Sequence, residues 1–352
     1  MEDSIIRPDE WVLVTGATGF VGASVVESLV EHGFRKVRCF TRVSSNLETI
    51  DALKKRCAGQ VEIEFVSGNL LSRADCVKAM QNVAVVYHLA MGTGQKSIPH
   101  AFLNSVVVTR NLLDAALQCG ALKRFVNMSS FVVYSNRKKP RGRLLDESCP
   151  MEDNPARRGE AYTYAKVHQD ELVIQYGREH KLPYVLLRPG VVYGPGKNAL
   201  TGRVGIDTFG FFLHLGGSNT IPLTYIKNCA DAIVLAGIKP GIDGEVFNIV
   251  DDDLPSSKKL LRLYKENVRS FNSVYMPKLV SYLLCLLWEK YSQWSGGQLP
   301  AQFSRWSWHV YWKKSRYSNE KLKQRVGWKP QISTDLGLKN YFAACKNGGR
   351  HA

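Results

Sequence analysis

The stretch Val12-Leu13-Val14-Thr15-Gly16-Ala17-Thr18-Gly19-Phe20-Val21-Gly22 decides the fold. A short apolar run leads into three regularly spaced glycines, and a helical pattern then continues from Ala23 to His32. Gly16 allows a tight turn, Gly19 lets the backbone approach a pyrophosphate, and Gly22 lets the helix pack closely. Phosphates would then lie at the positive amino end of that helix. The stretch therefore predicts a dinucleotide-binding turn between a strand and a helix.

Similar alternation continues through the first half of the chain. Short β-branched runs are followed by longer helical stretches, which predicts an α/β fold with a doubly wound parallel sheet. Several runs are apolar throughout, as expected for strands buried on both faces. The predicted strands are Trp11–Thr15, Lys36–Thr41, Val61–Ser67, Val83–Leu89, Arg124–Ser129, Tyr184–Arg188 and, from the last third of the chain, Glu245–Val250.

The 352 residues are enough for one dominant core and a smaller lobe. The glycine-rich segment 194–217 and the basic segment 137–158 are predicted as loops over the carboxyl ends of the strands, where such sheets bind ligands. Residues 256–345 read as mainly helical. We assign a Rossmann dinucleotide-binding domain to residues 1–192 with a returning strand within 225–252, and a smaller, mainly helical substrate-binding lobe to residues 193–224 and 253–352.

Composition narrows the class of protein. Hydrophobic residues make up 45% of the chain and charged residues 22%, which is typical of a globular domain. The net charge of +16 favours anionic ligands, but nucleic acid is disfavoured because the basic residues are scattered and no nucleic-acid-binding motif is present. The eight cysteines lie far apart, without a metal-type cluster. Reduced thiols and a polar amino terminus lead us to expect a cytoplasmic protein.

Two aromatic or apolar segments raise the question of a membrane. Leu279–Trp288 is only ten residues long, about half of what a spanning helix needs, so it is predicted as a buried helix of the lobe. The segment 306–316 mixes Trp306, Trp308 and Trp312 with basic residues. This mixture fits peripheral membrane contact or, as the favoured alternative, a lobe surface or a dimer contact.

Further dinucleotide contacts are expected where the next strands end. Arg42 follows the second strand, at a position where an acidic residue would bind the ribose of NAD. An arginine can instead pair with the additional phosphate of NADP, so NADP is favoured over NAD, and a solvated loop cation is the alternative. Asn69 and Leu70 would lie near the adenine ring, and Ala90 near the ribose.

A proton-transfer pair is predicted at Tyr162 and Lys166, which share one helix face at i, i+4 spacing. An ammonium near the phenol would lower its pKa of about 10 toward neutrality. The hydroxyls of Ser129 and Ser130, at the end of a strand, can hold a reacting oxygen against Tyr162. Tyr164 is disfavoured as the acid because its spacing turns it away from Lys166.

Together these motifs resemble the extended short-chain dehydrogenase/reductases, also called the NAD-dependent epimerase/dehydratase family. The resemblance implies a Rossmann fold, a catalytic role for Ser130 with Tyr162 and Lys166, and a nicotinamide contact for Pro189, Gly190 and Val191. It runs from about Trp11 to Val250. The motifs that carry it are Thr15–Gly22, His88-Leu89-Ala90, Ser129-Ser130, Tyr162 with Lys166, and Leu187–Gly196.

Within this family the chain resembles the 3β-hydroxysteroid and sterol dehydrogenases. Asn228 stands where nucleotide-sugar enzymes usually have aspartate, and Val191 where epimerases carry asparagine. The tail 299–330 is also similar to the end of the sterol-type enzymes. Two departures concern helix or adenine contacts: Ser105, with Asn104 one residue away, replaces a frequent asparagine, and Asn69 replaces an aspartate.

The resemblance implies an oxidoreductase that interconverts a secondary alcohol and a ketone on a small hydrophobic molecule, steroid-like or keto-acyl. The aromatic run Phe209–Leu213 would contact that substrate or form lobe core. The alternatives are a nucleotide-sugar epimerase with tightly bound NAD and a non-catalytic dinucleotide-binding protein. A dehydratase is disfavoured because Phe131-Val132 replaces its Asp-Glu pair. Homodimers through the helices before and within the Tyr162 segment are common in such enzymes.

Overall fold

The computed structural model describes residues 4–92, 97–136, 142–197, 200–208, 210–295 and 304–348. Its strands are β1 Trp11–Thr15, β2 Lys36–Thr41, β3 Glu62–Ser67, β4 Val83–His88, β5 Arg124–Met128, β6 Leu144–Leu145, β7 Tyr184–Pro189, β8 Val191–Tyr193, β9 Gly205–Thr208, β10 Phe211–His214, β11 Leu223–Tyr225, β12 Val246–Ile249, β13 Ser273–Tyr275 and β14 Arg316–Tyr317. Its α-helices are α1 Phe20–Glu31, α2 Glu48–Arg56, α3 Arg73–Met80, α4 Ile98–Phe102, α5 Val108–Cys119, α6 Ala161–His180, α7 Ile226–Ile238, α8 Ser257–Asn267, α9 Lys278–Trp294, α10 Arg305–Tyr311, α11 Glu320–Val326 and α12 Thr334–Gly348.

The centre of the molecule is a seven-stranded sheet with the strand order β12-β7-β5-β4-β1-β2-β3. Every neighbouring pair in it is parallel. All seven predicted strands are confirmed, with ends that differ by a residue or so. The order reverses beside β1, so the carboxyl ends of β1 and β4 open the crevice in which such sheets bind ligands.

Helices cover both faces of this sheet, which explains the apolar runs. Val12 and Val14 belong to one hydrophobic cluster with α1 and α7, whereas Leu13 belongs to a second cluster with α3 and α5. Alternate residues of a strand point to opposite faces, so a strand between two helical layers needs apolar residues at every position. The doubly wound α/β fold is therefore confirmed.

The prediction of loops for 194–217 and 137–158 is wrong in part. Strands β9 and β10 form an antiparallel pair, and β13 joins β10 in parallel. These strands are three or four residues long and are paired by a distant segment, which local glycine content does not reveal. Phe209 and residues 137–141 lie outside the described residues, and β6 pairs with β14 near the end of the chain.

Residues 256–345 are mainly helical, as predicted. The apolar side chains of one helix in this segment, however, are exposed rather than buried. The apolar run Leu279–Trp288 is in α9, yet Leu279 and Leu287 are 70% and 63% exposed. The prediction of a buried helix is wrong because Ser281, Cys285 and Ser292 occupy the inner face. Within the described residues, no helix combines the length and the apolar content needed to cross a bilayer.

The tryptophan-rich segment behaves in the opposite way. Trp308 and Trp312, in and after α10, are buried in a cluster with Leu215 and Cys285. Trp308 donates a hydrogen bond from its ring nitrogen to Ser281 Oγ at 2.9 Å. These two rings therefore hold α9 and α10 together and are not available to a membrane or a partner.

The cysteines are all free thiols, and seven of the eight are buried. This agrees with the expectation of reduced, packed side chains.

Candidate active site

The glycine turn after β1 has the predicted geometry. Gly16 has φ +70°, and a Cβ added there would lie 2.9 Å from the backbone nitrogen of Ala90. A Cβ on Gly22 would lie 2.0 Å from the carbonyl oxygen of Gly16, so helix α1 rests directly on the turn. Gly19 is the N-cap of α1, and its amide donates to Gly16 O at 3.0 Å. Only glycine allows both of these close approaches.

The amino end of α1 fits a pyrophosphate. No side chain caps the helix at Gly19, and the first turn, which begins at Phe20 and Val21, contains no acidic residue. Its backbone N–H groups are thus left for a ligand, and the helix dipole favours an anion there. Thr18 is partly buried in the turn. The turn therefore fits the diphosphate of NAD or NADP.

Three other predicted contacts lie at the ends of neighbouring strands. Arg42 is exposed just after β2, and its backbone amide donates to Ser45 Oγ at 3.0 Å. Asn69 is exposed after β3 and uses its side-chain oxygen to accept from Leu71 N at 3.0 Å. Leu70 is buried and packs into the core. Arg42 and Asn69 are thus exposed beside the crevice, whereas the Leu70 side chain is turned away from it.

Ala90 connects the end of β4 to the glycine turn. Its amide donates to Thr15 Oγ1 at 3.2 Å, and the amide of Leu89 donates to Thr15 O at 3.2 Å. Asn104 reaches the same region, because a Cβ on Gly92 would lie 2.8 Å from its Cβ. Ser105 is instead buried, in a π-helical turn Leu103–Val107. Asn104, one residue before the position expected for an asparagine, therefore faces this part of the crevice.

The two serines after β5 have different roles. Ser129 donates to Asp170 Oδ2 at 2.7 Å, deep in the core. Ser130 caps a short 3₁₀ turn, and its hydroxyl lies close enough to the Tyr162 phenol to lower the pKa of that phenol. The structure brings Ser130 and Tyr162 together, as predicted, and assigns Ser129 to a structural network.

Tyr162 and Lys166 project from the first turns of α6, beside the carboxyl end of β5. The Lys166 ammonium is buried and donates to Met128 O at 2.5 Å and to Gln169 Oε1 at 2.9 Å. Burial lowers the pKa of Lys166 to about 8, against the favourable charge of Asp170. Tyr164 instead stacks edge-on against His168 at 4.4 Å, turned away from this pair.

The pKa of the Tyr162 phenol departs from the sequence expectation. Burial raises this pKa, the hydrogen bond with Ser130 lowers it, and the Asp170 carboxylate raises it. The net direction is upward. The predicted lowering by Lys166 is not found because the ammonium is directed at Met128 O and Gln169.

A buried polar chain links Lys166 to the glycine turn. Gln169 Nε2 donates to Thr109 Oγ1 at 2.8 Å, and His88 Nε2 lies 2.8 Å from the same oxygen. His88 Nδ1 lies 2.8 Å from Thr15 Oγ1. Five side chains from β1, β4, α5 and α6 therefore form one continuous hydrogen-bonded path.

The bonding partners fix the tautomer of the neutral His88 ring. Thr109 donates its own proton to Ser105 O at 2.6 Å, so it can only accept from His88 Nε2. Nδ1 is then the acceptor for the Thr15 hydroxyl. Burial lowers the pKa of His88 to about 3, and the Lys166 charge acts in the same direction.

Sequence reasoning missed Gln169, Thr109 and Asp170. Gln169 and Asp170 follow Lys166 by three and four residues on α6, and this helical spacing could have identified them. Asp170 is fully buried and accepts from Arg188 Nη2 at 3.0 Å. Thr109 lies on another helix, so no local pattern identifies it.

The segment after β7 lies at the same edge of the sheet. Gly190 N donates to Ile249 O, and a Cβ on Gly190 would lie 2.2 Å from Pro222 O. Val191 lines a cavity of about 160 Å³, together with Lys197 and Leu200. Lys197, also missed from sequence, lies 5.8 Å from the centre of the Phe20 ring. Pro189, Gly190 and Val191 are thus placed at the carboxyl end of β7, on the crevice side predicted for the nicotinamide.

Comparison with known proteins agrees with this geometry. A 3beta-hydroxysteroid-dehydrogenase/decarboxylase, isoform 1, from Arabidopsis thaliana is 26% identical over 254 residues, which are 69% of this chain and 56% of that protein. A 3-beta-hydroxysteroid dehydrogenase from Mycolicibacterium neoaurum is 28% identical over 275 residues, 71% of this chain and 70% of that one. The chain thus matches little more than half of the Arabidopsis relative.

A solved structure shares the fold. UDP-glucuronic acid 4-epimerase from Bacillus cereus in complex with NAD superposes with a TM-score of 0.70 at 22% identity, covering 96% of this chain and 99% of that one. A model of the NAD dependent epimerase/dehydratase family matches residues 12–249, which contain the glycine turn, the Tyr162 pair and the strands of the central sheet except the first residue of β1. The chain therefore belongs to the NAD dependent epimerase/dehydratase family.

Proposed function

We propose that this protein is an NAD(P)-dependent oxidoreductase that interconverts a secondary alcohol and a ketone on a hydrophobic molecule. The observation that carries the proposal is the contact between Ser130 and Tyr162 beside the buried ammonium of Lys166. This group lies at the sheet edge that also carries the glycine turn. It offers one proton donor and one hydroxyl that orients a substrate oxygen.

In the reductive direction, Tyr162 gives a proton to the substrate oxygen while Ser130 holds that oxygen in place. Lys166 is held beside this pair by Met128 O and Gln169. It would stabilise the phenolate that remains once its ammonium turns from these two partners toward Tyr162. When bound in this crevice, a nicotinamide dinucleotide would supply the hydride chemistry that interconverts the ketone and the alcohol. The glycine turn, Arg42, Asn69, Ala90 and the segment 189–191 would hold the dinucleotide.

The relatives named as hydroxysteroid dehydrogenases support a hydrophobic substrate, as does Val191 in place of a polar residue. The aromatic run after β9 contributes less than expected. Phe212 is buried and packs on Phe271 with ring centres 5.4 Å apart, so it belongs to the core. Phe211 is 38% exposed. We propose residues 193–224 and 253–352 as the substrate side of the molecule.

Two alternatives remain to be separated from this proposal. An epimerase is favoured by the similarity to a UDP-sugar epimerase structure, and it would regenerate its dinucleotide in every cycle. A non-catalytic protein would bind the nucleotide without turnover. A panel of steroid, long-chain β-keto, flavonoid and sugar-nucleotide substrates, followed at the absorbance of reduced nicotinamide, tests all three. We expect net oxidation of NADPH with hydrophobic ketones; interconversion of sugar nucleotides without net oxidation would contradict the proposal.

Arg42 tests the proposed preference for NADP. We expect Arg42→Ala to raise the KM for NADPH roughly 10- to 100-fold, because a hydrogen bond to a charged phosphate contributes about 1.5–3 kcal/mol. The KM for NADH should change little. Arg35→Ala is the matched control, since Arg35 is exposed just before β2, at the other end of the same strand. If Arg42→Ala changes the KM values for NADPH and NADH equally, Arg42 does not bind the additional phosphate and is a solvated loop cation.

Gly22 tests the dinucleotide turn. We expect Gly22→Ala to weaken dinucleotide binding by roughly 10- to 100-fold, because overpacking of this kind costs about 1–3 kcal/mol and α1 must move away from Gly16. Gly202→Ala is the control, since a Cβ there meets nothing within 4 Å. Calorimetric titration measures both variants, with circular dichroism to verify folding. A folded Gly22→Ala with unchanged affinity would place the nucleotide elsewhere.

A further inference from the structure

Helix α9 leaves an apolar face exposed. Its outward positions recur every three or four residues, as on one side of a helix. The apolar side chains on this face are between 45% and 81% exposed, and they are Leu279, Val280, Leu283, Leu284, Leu287, Tyr291 and Trp294. Contiguous exposure of this kind is typical of a contact surface for a partner or a membrane. We call these seven residues the α9 face.

The α9 face is not needed to hold the helix on the protein. The opposite side does this, through the hydrogen bond from Trp308 to Ser281 and the contact between the rings of Tyr282 and Trp308, whose centres are 5.2 Å apart. Cys285 is buried beside them. The helix is therefore anchored by its small and aromatic inner residues while its leucines point outward.

Basic residues are frequent in the segment of the chain that leads into and contains the α9 face. Strand β13, just before α9, exposes Val274 and Tyr275, each 54%. The first residue of this strand, Ser273, lines a groove of about 670 Å³ together with basic residues and Glu266 of α8, and it accepts a hydrogen bond from Lys265 at 3.1 Å. Residues 256–295 contain seven lysines and arginines and only two acidic residues. The other basic residues that line the groove are Lys258, Lys259 and Arg262.

We propose that the α9 face docks on the surface of an anionic phospholipid bilayer. The helix would lie in the plane of the interface, where 17 residues extend about 25 Å, with its leucines at the acyl boundary and the α8 groove at the head groups. Trp294 and Tyr291, at the end of the face, are side chains that favour this interface. Basic residues near a membrane are attracted by anionic lipid.

The same charges disfavour a second copy of the chain as the occupant. A symmetric dimer through α9 would bring the same patch of each copy together, and with it two strongly basic segments 256–295. An anionic lipid surface complements that charge. The observations therefore favour the membrane over a homodimer at this face.

The docking surface is connected to the active site through α10. Ser307 donates to Glu160 Oε1 at 2.8 Å, and Tyr311 lies 3.5 Å from Glu160 Oε2. Glu160 is the N-cap residue of α6, two residues before Tyr162. If the proposed function holds, docking would bring the bilayer within two helices of the proposed catalytic residues. This last step, unlike the docking itself, rests on the proposed function.

Sedimentation of the full chain with vesicles tests the docking. The vesicles consist of phosphatidylcholine with or without phosphatidylserine. We expect the wild type to bind the phosphatidylserine vesicles, and increasingly less as salt is added. The double variant Leu283→Gln, Leu287→Gln should bind at least about tenfold less, because two leucines no longer enter the lipid. Leu336→Gln, which changes a leucine of α12 that is 46% exposed, is the control and should bind like the wild type.

Two further measurements keep the outcomes distinct. Light scattering gives the mass in solution, and turnover of a water-soluble ketone is measured without vesicles. Unchanged turnover in the double variant with loss of vesicle binding supports the proposal and leaves the catalytic assignment separate from it. A wild type that does not bind the anionic vesicles overturns the proposal. A dimer that the double variant abolishes also overturns it and assigns the face to a second copy.

Discussion

Replacing Tyr162 with phenylalanine is expected to lower kcat by roughly 10²- to 10⁴-fold, the usual contribution of a positioned proton donor. The affinity for NADPH or NADH should stay within about twofold of the wild type, since the lost hydroxyl contacts Ser130 rather than the glycine turn. Steady-state assays with the best ketone of the substrate panel, and a calorimetric titration of the dinucleotide, measure the two quantities separately.

The matched control is Tyr164→Phe, on the same helix two residues further along. Tyr164 contacts His168 and Phe102 and does not face Lys166. Its removal should leave kcat nearly unchanged. If the two variants lose activity equally, or if Tyr162→Phe remains fully active, the assignment of the proton donor is wrong.

Acid is expected to destabilise the protein through His88. Burial lowers its pKa to about 3 in the folded chain, against about 6.5 for an unperturbed histidine. Below pH 6.5 the unfolded chain binds a proton at this ring and the folded chain does not. The free energy of unfolding therefore decreases as the pH falls from about 6.5 to about 3. At about 1.4 kcal/mol per pH unit, this one ring removes roughly 4–5 kcal/mol from the free energy of unfolding.

Urea unfolding between pH 7 and pH 4 measures this effect as a slope. Unfolding of His88→Asn should take up about one proton fewer than unfolding of the wild type, because the titrating ring is absent. This difference does not depend on the absolute stability of the variant. His180→Asn is the control, since His180 is exposed at the end of α6. Equal slopes for wild type and His88→Asn would show that burial does not hold this ring neutral.

The sequence predicted the central sheet and the dinucleotide turn because both depend on local patterns. Apolar runs mark strands that are buried on both faces, and the spacing of Gly16, Gly19 and Gly22 reflects contacts within one turn. The contact of Ser130 with Tyr162 could be predicted because the carboxyl ends of parallel strands lie at one edge of the sheet. The family resemblance selected Ser130 over Ser129, and the structure adds the physical reason, because the Ser129 hydroxyl donates to Asp170.

Other features depend on distant partners and could not be read locally. The path from Lys166 to Thr15 draws on four elements, and its members are ordinary polar residues in sequence. The ammonium of Lys166 was expected to lower the pKa of the phenol, but Met128 O and Gln169 determine where it points. The leucines of α9 were predicted to be buried because they are apolar. Instead, Trp308 and Trp312 from later in the chain fill the interior beside α9, and the α9 side chains that contact them include Ser281 and Cys285.

The catalytic proposal depends on a nicotinamide dinucleotide that binds across the glycine turn and meets the Tyr162 phenol at the edge of the sheet. Calorimetric titration of NADPH and of NADH into the wild-type chain, repeated with Gly22→Ala, measures this binding. We expect saturable binding of at least one dinucleotide, at one site per chain, and loss of affinity in the variant. A wild-type chain that binds neither dinucleotide would rule out the proposed site.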